Sequence, residues 1–296
     1  MPDRVPPSTA WNDDLLRDPH AVADKRTRVR NMFAAIAPSY DLNNRLHSLW
    51  MDQRWRKKAV KLALLQPTDY VVDVACGTGD LTLALVKGIR DAASKDDVYS
   101  GLLEDLEIDG YEQHYRNSLR YNDRPHVGQL IGIDFTFEML PIARRKQKQL
   151  KIENLKFSIE NCLFLNGDAL ALPLPDACCD VVSIAFGIRN VQDVPAALRE
   201  FYRVLRPGGR VIVLEFSLPT NPVLRRLYNF YFRQILPRTA TLISGDTTGA
   251  YKYLPESVNT FIGREQMTQM MNVAGFGEVK QFPMTFGVCV CYRGVK

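Results

Sequence analysis

Two glycines and an acidic residue follow apolar, β-branched runs, which is where parallel strands place ligand-binding groups. The segment VVDVACGTGDL at residues 71–81 contains Gly77 and Gly79, and LIGIDFTFEML at residues 130–140 contains Asp134. Because glycine has no Cβ, a ligand can approach the backbone of such a turn closely. A carboxylate at the second strand end can accept hydrogen bonds from both hydroxyls of a ribose. Together the two segments predict a site for an adenosine-type ligand.

The spacing of the glycine turn argues against cofactors that carry phosphate groups. A dinucleotide-binding G-x-G-x-x-G would have its third glycine where this chain has Thr82, and the turn lacks the Gly-Lys-Ser/Thr ending of a P-loop. S-adenosylmethionine (SAM) has no phosphate and carries positive charge on its sulfonium and amino groups. The neighbouring acids Asp73 and Asp80 suit that cofactor, so an NAD-dependent oxidoreductase is the less favoured alternative.

Polar residues also follow the next two predicted strands. Asp168 ends a short apolar stretch, where its carboxylate can accept the exocyclic amine of an adenine, and Ala169 lies beside the base. The strand at residues 180–185 leads into Arg189 and Asn190. Ligands of open α/β sheets bind at the carboxyl ends of the strands, so all these segments are expected at one rim. Arg189 and Asn190 are predicted to polarise a substrate at the mouth of that site.

Alternating strand and helix patterns predict an α/β fold, with a mostly parallel sheet and helices on both faces. The last two strands are expected to form an antiparallel hairpin at the sheet edge. The predicted strands cover residues 70–75, 130–134, either 155–159 or 163–167, 180–185, 210–215, 278–282 and 285–292.

Composition divides the chain into a loose leader at residues 1–24 and a single domain at residues 25–296. Within that domain we expect an N-terminal helical cap at 25–66, a charged surface insertion at 88–128, with some helix at 102–106, and a substrate-covering segment at 217–262. The basic cluster of the cap is placed on its solvent-facing side, with contact to a membrane surface as the alternative. That cluster consists of Arg54, Arg56, Lys57 and Lys58.

The net charge of +5 is too small to indicate nucleic acid and is compatible with an anionic membrane surface. Residues 217–242 are aromatic, basic and amphipathic, so they are expected to cover a substrate tunnel, touch lipid, or pack on the core or a second subunit. The first residues lack a secretory signal and are too acidic for a transit peptide, which favours a cytoplasmic protein. The scattered cysteines predict reduced thiols, and no metal site is indicated.

Several motifs resemble those of one known family. The segments VDVACGTGDLT, SIAFGIRNV, RVLRPGGR, VLEFSLP, ILPR and AYKYLPES are similar to the UbiE family of ubiquinone/menaquinone-biosynthesis C-methyltransferases. The resemblance covers residues 30–87 and 129–294, and FGIRNV and YKYLPES are its most specific motifs. It implies a class I SAM-dependent methyltransferase fold with seven strands and an antiparallel C-terminal hairpin. It also implies SAM as cofactor and a polyprenylated quinol as substrate.

The resemblance carries SAM contacts onto Thr78, Asp134, Asp168 and Ala169, while Ala185 stands where the family has a serine. Arg189 is expected to stabilise a phenolate-like ring oxygen or relay its proton through water, with Asn190 orienting that oxygen. Tyr251 and Tyr253 are expected to line the substrate mouth, with a core or surface role as the alternative. The complete set of predicted cofactor residues is Asp73, Gly77, Thr78, Gly79, Asp134, Asp168, Ala169 and Ala185.

These residues predict C-methylation of a quinol ring in menaquinone or ubiquinone biosynthesis. A ring hydroxyl that loses or shares its proton raises electron density at the adjacent carbon, which then attacks the methyl group. A SAM methyltransferase for another small lipophilic acceptor and a non-catalytic component of a quinone-biosynthesis complex are the alternatives. The sequence does not choose between naphthoquinol and benzoquinol, allows a homodimer, and is compatible with a location at the inner face of the membrane.

Overall fold

A seven-stranded sheet organises the chain, and a computed structural model describes it over residues 9–93, 129–149 and 162–296. The strand order is β3-β2-β1-β4-β5-β7-β6. The first five strands pair in parallel, and β7 runs antiparallel to both β5 and β6. The strands are β1 Tyr70–Val74, β2 Gln129–Asp134, β3 Cys162–Asn166, β4 Cys179–Ala185, β5 Leu205–Phe216, β6 Gly277–Met284 and β7 Cys289–Val295.

Helices cover both faces of the sheet and the rim at the carboxyl ends of its parallel strands. A π-helical turn at Tyr231–Ile235 joins the seventh helix to the eighth. The α-helices in the described ranges are α1 Lys25–Ile36, α2 Tyr40–Ser48, α3 Met51–Leu62, α4 Asp80–Ala93, α5 Leu140–Gln149, α6 Val194–Val204, α7 Pro222–Phe230, α8 Leu236–Ser244, α9 Ala250–Asn259 and α10 Arg264–Val273. Within these ranges, none of the helices combines the length and apolarity that a membrane crossing requires.

Continuous apolar runs explain the central strands, because a parallel sheet buries both of its faces. Valines of β1 and β4 are fully buried on both sides of the sheet. One face packs on α3 and α4, and the opposite face packs on α6 and α10. A third apolar cluster joins α1, α8 and α9 with residues near the chain start, so these helices form one cover.

The predicted strands and the C-terminal hairpin are confirmed, with β6 at the sheet edge and β7 inside it. The last strand begins later than predicted, at Cys289, because residues Thr285–Gly287 form a 3-10 turn. The third strand is the one predicted at 163–167, whereas 155–159 lies outside the described residues. Helix α4 continues to Ala93, so the predicted insertion at 88–128 starts too early. The remainder of that insertion, with its expected helix at 102–106, also lies outside the described residues.

Two expectations about the N-terminal part are wrong. Residues 9–24 are not a loose leader, because Trp11 and Leu16 are buried and the Trp11 ring lies 4.5 Å from the ring of Tyr253. The Trp11 amide also donates a hydrogen bond of 2.8 Å to the carbonyl of Thr248. Arg56 is not on a solvated face: it is 6% exposed and faces the protein interior beside Asp52.

Candidate active site

The two glycines that follow β1 have different roles. Gly77 has a φ of +55°, and a Cβ at this position would meet nothing within 4 Å, so the backbone is open to a ligand. At Gly79, with a φ of +83°, a Cβ would lie 3.0 Å from the Cβ of Ala143 in α5. Gly77 therefore suits the cofactor contact predicted for it. Gly79 instead allows α5 to approach the turn closely.

Asp134, at the end of β2, connects this strand to the glycine turn that follows β1. Its Oδ2 accepts a hydrogen bond of 2.7 Å from the Gly77 amide, and its Oδ1 accepts one of 2.7 Å from the Thr136 amide. Burial raises the pKa of this carboxyl to about 6, although both amide hydrogen bonds act in the opposite direction. A carboxylate accepts up to about four hydrogen bonds, so the ribose hydroxyls of a nucleoside find remaining acceptor positions here.

Asp168, after β3, makes an ion pair of 2.6 Å with Arg26 and accepts a hydrogen bond of 3.0 Å from the Leu170 amide. The Arg26 guanidinium lies 4.6 Å from the ring centroid of Phe135. The Arg26 guanidinium thus occupies the Asp168 carboxylate, which is the predicted partner of an adenine amine. Adenine binding at Asp168 therefore requires Arg26 to shift.

Six of the predicted residues line one pocket of about 110 Å³ at this rim. Its lining combines the glycine turn, both rim acids and the end of β4, which fits the nucleoside part of SAM. Those six residues are Gly77, Asp134, Asp168, Ala169, Ala185 and Asn190.

Asp73 and Thr78 do not line this pocket. Asp73 is buried and accepts hydrogen bonds from the hydroxyls of Thr82, at 2.6 Å, and Ser183, at 2.7 Å. Burial raises its pKa to about 6, against the effect of these two hydroxyls. Thr78 donates a hydrogen bond of 2.6 Å to Asp41 in α2. Asp73 thus ties β1 to α4 and β4, and Thr78 ties the glycine turn to the helical cap.

A second, larger cavity of about 420 Å³ adjoins the nucleoside pocket and shares Phe33, Tyr40 and Phe186 with it. Helices α1–α3 and the segment from α7 to α9 supply most of its walls. The lining is largely aromatic, which suits a planar, apolar acceptor. Its aromatic residues include Phe33, Tyr40, Trp55, Phe186, Phe216, Tyr228, Tyr231, Phe232, Tyr251 and Tyr253.

Arg189 lines this larger cavity and is buried in an ion pair with Glu215 of β5. Its Nη1 donates hydrogen bonds of 2.8 Å to Glu215 and 2.7 Å to the carbonyl of Phe186, and its Nε donates one of 3.4 Å to Ser257. Among the described residues, no acceptor is hydrogen-bonded to Nη2. The guanidinium lies 5.4 Å from the ring centroid of Phe216. Arg189 therefore presents a fixed cation with an unused N–H group at the cavity wall.

Asn190 stands on the other side of the same turn and lines the nucleoside pocket. Its Oδ1 accepts a hydrogen bond of 2.9 Å from the hydroxyl of Tyr253, and burial raises the pKa of that tyrosine. Arg189 and Asn190 thus face the two cavities from one short turn. Tyr251 and Tyr253 are both buried and line the larger cavity, so their predicted place at a substrate mouth stays a prediction.

Lys25 holds this turn in place, and the sequence analysis did not single it out. Its ammonium donates hydrogen bonds of 2.9 Å to the carbonyl of Arg189 and 2.8 Å to that of Val191. Burial, with a contribution from Arg189, lowers its pKa to about 8. Lys25 lies one helical turn before Val29 on the buried face of α1. A lysine in line with the apolar residues of a helix is the sequence signal that could have indicated its burial.

The mostly parallel sheet with its antiparallel end, together with the acidic rim and glycine turn, defines the class as that of class I SAM-dependent methyltransferases. A Methanococcus maripaludis structure, described as that of a candidate SAM-dependent methyltransferase, has the same fold with a TM-score of 0.50 and 13% identity. The match covers 87% of this chain and 91% of that one. The class implies SAM as the methyl donor.

The chain belongs to the ubiE/COQ5 methyltransferase family, whose model matches residues 21–296. It is 41% identical to the demethylmenaquinone methyltransferase of Thermus thermophilus, over 89% of this chain and 99% of the relative. It is 38% identical to the enzyme of the same name from Deinococcus radiodurans, over 92% and 94% of the two chains. A ubiquinone/menaquinone biosynthesis C-methyltransferase of a Geobacter strain is 36% identical, over 94% of this chain and the whole relative.

Proposed function

We propose that this protein methylates a ring carbon of a polyprenylated quinol in menaquinone or ubiquinone biosynthesis, with SAM as donor. The names of its relatives support this reaction. The observation that carries it is the aromatic cavity of about 420 Å³, which shares Phe186 with the nucleoside pocket. A flat ring in that cavity can reach the donor side, while the helical cover keeps water away from the reacting atoms.

The rim residues fit the nucleoside part of SAM. Asp134 would accept the ribose hydroxyls, Asp168 would accept the adenine amine, and the open backbone at Gly77 would lie against the cofactor. When bound, SAM supplies an electrophilic methyl group on its sulfonium. Arg189 then faces the acceptor from the turn between the two cavities, and Asn190, on the nucleoside-pocket side of that turn, can contact the ring oxygen where the acceptor reaches the donor.

Arg189 acts by charge rather than as a base. A guanidinium does not give up its proton in proteins, so the proton of the ring hydroxyl needs another acceptor, and we propose a water molecule beside Arg189 for this role. Glu215 balances the buried charge of Arg189 before the reaction, and the unused Nη2 is available to the oxygen as it becomes anionic. The ring carbon beside that oxygen is the nucleophile. When it takes the methyl group, the methyl–sulfur bond breaks to leave S-adenosylhomocysteine, and the hydrogen on that carbon leaves as a proton, which restores the aromatic ring. Positioning by the aromatic walls supplies much of the remaining acceleration.

The direct test offers reduced demethylmenaquinol and a reduced polyprenyl methoxybenzoquinol to the purified protein with SAM. Mass spectrometry should show one methyl group on the ring carbon of at least one of them. Cells lacking the protein should accumulate the corresponding demethylated quinone. Methylation of an oxygen, or of neither quinol, would contradict the proposal.

We also propose that the mouth of the larger cavity touches the membrane surface, where a long isoprenoid tail resides. Leu49 lines the cavity and is 78% exposed, and neighbouring Trp50 is 57% exposed. Leu242 of α8, a helix that packs on α2, is 86% exposed. The exposed Arg54 lies one turn into α3 and suits anionic headgroups.

Co-sedimentation with vesicles of anionic lipid tests this contact. The pair of changes Leu49→Ser and Trp50→Ser should weaken binding about tenfold or more, since each removes apolar area that lipid would bury. Val273→Ser is the matched control, because Val273 is 81% exposed but lies on α10, which packs on α6 and β6 away from the cavity. The contact would be contradicted if the wild-type protein did not bind the vesicles, or if all variants, including the control, lost binding equally.

A further inference from the structure

One wall of the larger cavity is polar, and the reaction described above does not use it. Helices α2 and α3 place Asn44, Ser48, Asp52 and Arg56 on this wall. Arg56 donates a hydrogen bond of 2.8 Å to the Asp52 carboxylate and one of 3.2 Å to its carbonyl. Its Nε is buried and has no hydrogen-bond partner within the part of the chain that the structure describes. A buried donor on a charged group is costly to leave unpaired, so this atom indicates a missing acceptor.

Arg56 lies next to the cofactor side of the cavity. Its guanidinium is 5.2 Å from the ring centroid of Phe186, the residue that lines both cavities. Asp52 is also paired with Arg45, which donates a hydrogen bond of 2.7 Å to Asp80. Asp80 begins α4 directly after the glycine turn. A chain of ion pairs therefore links Arg56 to the turn on which the cofactor is expected to rest.

The chemistry of SAM supplies an acceptor for this place. With ribose at Asp134 and the methyl group directed at the acceptor, the sulfur has to lie beside the wall that the two cavities share. The methionine chain leaves the same sulfur and ends in a carboxylate about 5 Å away, at bond lengths of about 1.5 Å. Carboxylates are the preferred partners of buried guanidinium groups, often through two parallel hydrogen bonds.

We propose that Arg56 binds the methionine carboxylate of SAM, with Asp52 and Arg45 fixing the orientation of its guanidinium. The proposal deepens the cofactor assignment made under the proposed function and rests on it. The N-terminal helical cap then takes part in cofactor binding. Helix α3 binds the amino-acid end of SAM, and the rim of the sheet binds its nucleoside end. Arg56 is a binding residue here and takes no part in the chemistry.

Calorimetry with three cofactor analogues tests this assignment without turnover. S-adenosylhomocysteine carries the amino-acid end, 5′-methylthioadenosine lacks it, and decarboxylated SAM lacks the carboxylate alone. Arg56→Met should weaken S-adenosylhomocysteine about 10–100-fold, the usual worth of a hydrogen bond to a charged group. The affinities for the other two ligands should stay within about twofold, because they have no carboxylate to lose.

Two further variants control for general damage. Arg56→Lys keeps the charge without the planar fork and should recover part of the lost affinity. Arg210 is likewise buried, is paired with Asp69, and lines neither cavity, so Arg210→Met should not change the ratio of affinities for the three ligands. Asp52 stays paired with Arg45 in the Arg56 variants, so its charge remains compensated.

The possible outcomes separate this inference from the proposed function. An unchanged ratio between S-adenosylhomocysteine and 5′-methylthioadenosine in both Arg56 variants would overturn the inference, as would equal loss of all three ligands. An unchanged ratio with a raised KM for the quinol would assign Arg56 to the acceptor instead. Failure of the wild-type protein to bind any adenosine ligand would contradict the proposed function itself.

Discussion

The rim at the carboxyl ends of the parallel strands and the larger cavity are built in different ways. At the rim, Gly77, Asp134 and Asp168 each follow a strand, and the register of the parallel sheet brings them together. The walls of the cavity come from helices far apart in the chain, and side chains such as Lys25 and Tyr253 join them across long sequence distances. The rim is therefore set by short motifs, whereas the cavity depends on tertiary packing. Changes at the rim should alter cofactor affinity, and changes in the cavity, apart from those at Arg56, should alter turnover.

The largest effect is expected at Arg189. Arg189→Ala alone would leave Glu215 buried without its partner, at a cost of about 3–5 kcal/mol in the free energy of unfolding. The double variant Arg189→Gln with Glu215→Gln removes both charges and should remain folded. Its turnover should fall by about 10²–10³-fold, because the donor to the anionic ring oxygen is lost. Affinity for S-adenosylhomocysteine should stay within about threefold. A matching loss of cofactor affinity would break the division between the two regions.

Asp134→Asn should produce the opposite pattern. The neutral amide cannot accept from both ribose hydroxyls and the Gly77 amide as the carboxylate does. Affinity for S-adenosylhomocysteine should fall about 10–100-fold, measured by calorimetry. The maximal rate at saturating SAM should change much less. A large loss of maximal rate with intact affinity would place Asp134 in the chemistry rather than in cofactor binding.

The raised pKa of Asp134 predicts a pH dependence of cofactor binding. With a pKa of about 6, only about a tenth of this carboxyl is ionised at pH 5, so affinity for S-adenosylhomocysteine should fall roughly tenfold between pH 7 and pH 5. Folding responds in the opposite sense. The folded-state value lies above the ordinary 3.8, so this group's contribution to stability is complete below 3.8 and is lost as pH rises through 6.

Asp73 is the control for that experiment, because its pKa is also raised to about 6 although it lies outside the pocket. Asp134→Asn should flatten the pH profile of binding, whereas Asp73→Asn should leave its midpoint near pH 6. If Asp73→Asn removed the midpoint instead, the pH dependence of binding would come from the buried Asp73 carboxyl rather than from Asp134.

Tyr253→Phe should have the smallest effect. It removes one neutral hydrogen bond to Asn190, worth about 1 kcal/mol, so turnover should fall about fivefold with cofactor affinity unchanged. In an Asn190→Ala background the same change should have no further effect, since the acceptor is already gone. Additive losses would show that Tyr253 acts on the cavity through its packing rather than through Asn190.

The sequence predicts the rim better than the cavity for a physical reason. A turn glycine or an acid directly after a buried parallel strand lies at the carboxyl end of the sheet, and Gly77, Asp134 and Asp168 do line one pocket there. Strand periodicity does not show that Asp73 faces Thr82, so from the sequence an acid beside the turn resembles a cofactor contact. Thr82 fills the position of a third glycine because its hydroxyl satisfies that buried carboxylate.

Helical residues are harder to assign, because their surroundings come from other parts of the chain. Arg56 belongs to a strongly basic run, and a run of this composition is typical of a solvent-exposed helix face. Only the packing of α3 against the sheet, with Asp52 one turn earlier, makes its burial tolerable. Trp11 is a similar case. A single aromatic residue in a polar, proline-containing segment shows no hydrophobic periodicity from which its burial could be predicted. Its partner, Tyr253, lies more than two hundred residues away in the sequence.

That last contact has a practical consequence for preparing the protein. An affinity tag placed ahead of residue 9 leaves Trp11 against Tyr253, whose hydroxyl reaches Asn190. Trimming the chain to the beginning of α1, as its proline-rich start would invite, deletes that support. The shortened protein would keep its sheet, but the turn that carries Arg189 and Asn190 would lose the packing of Trp11 behind Tyr253.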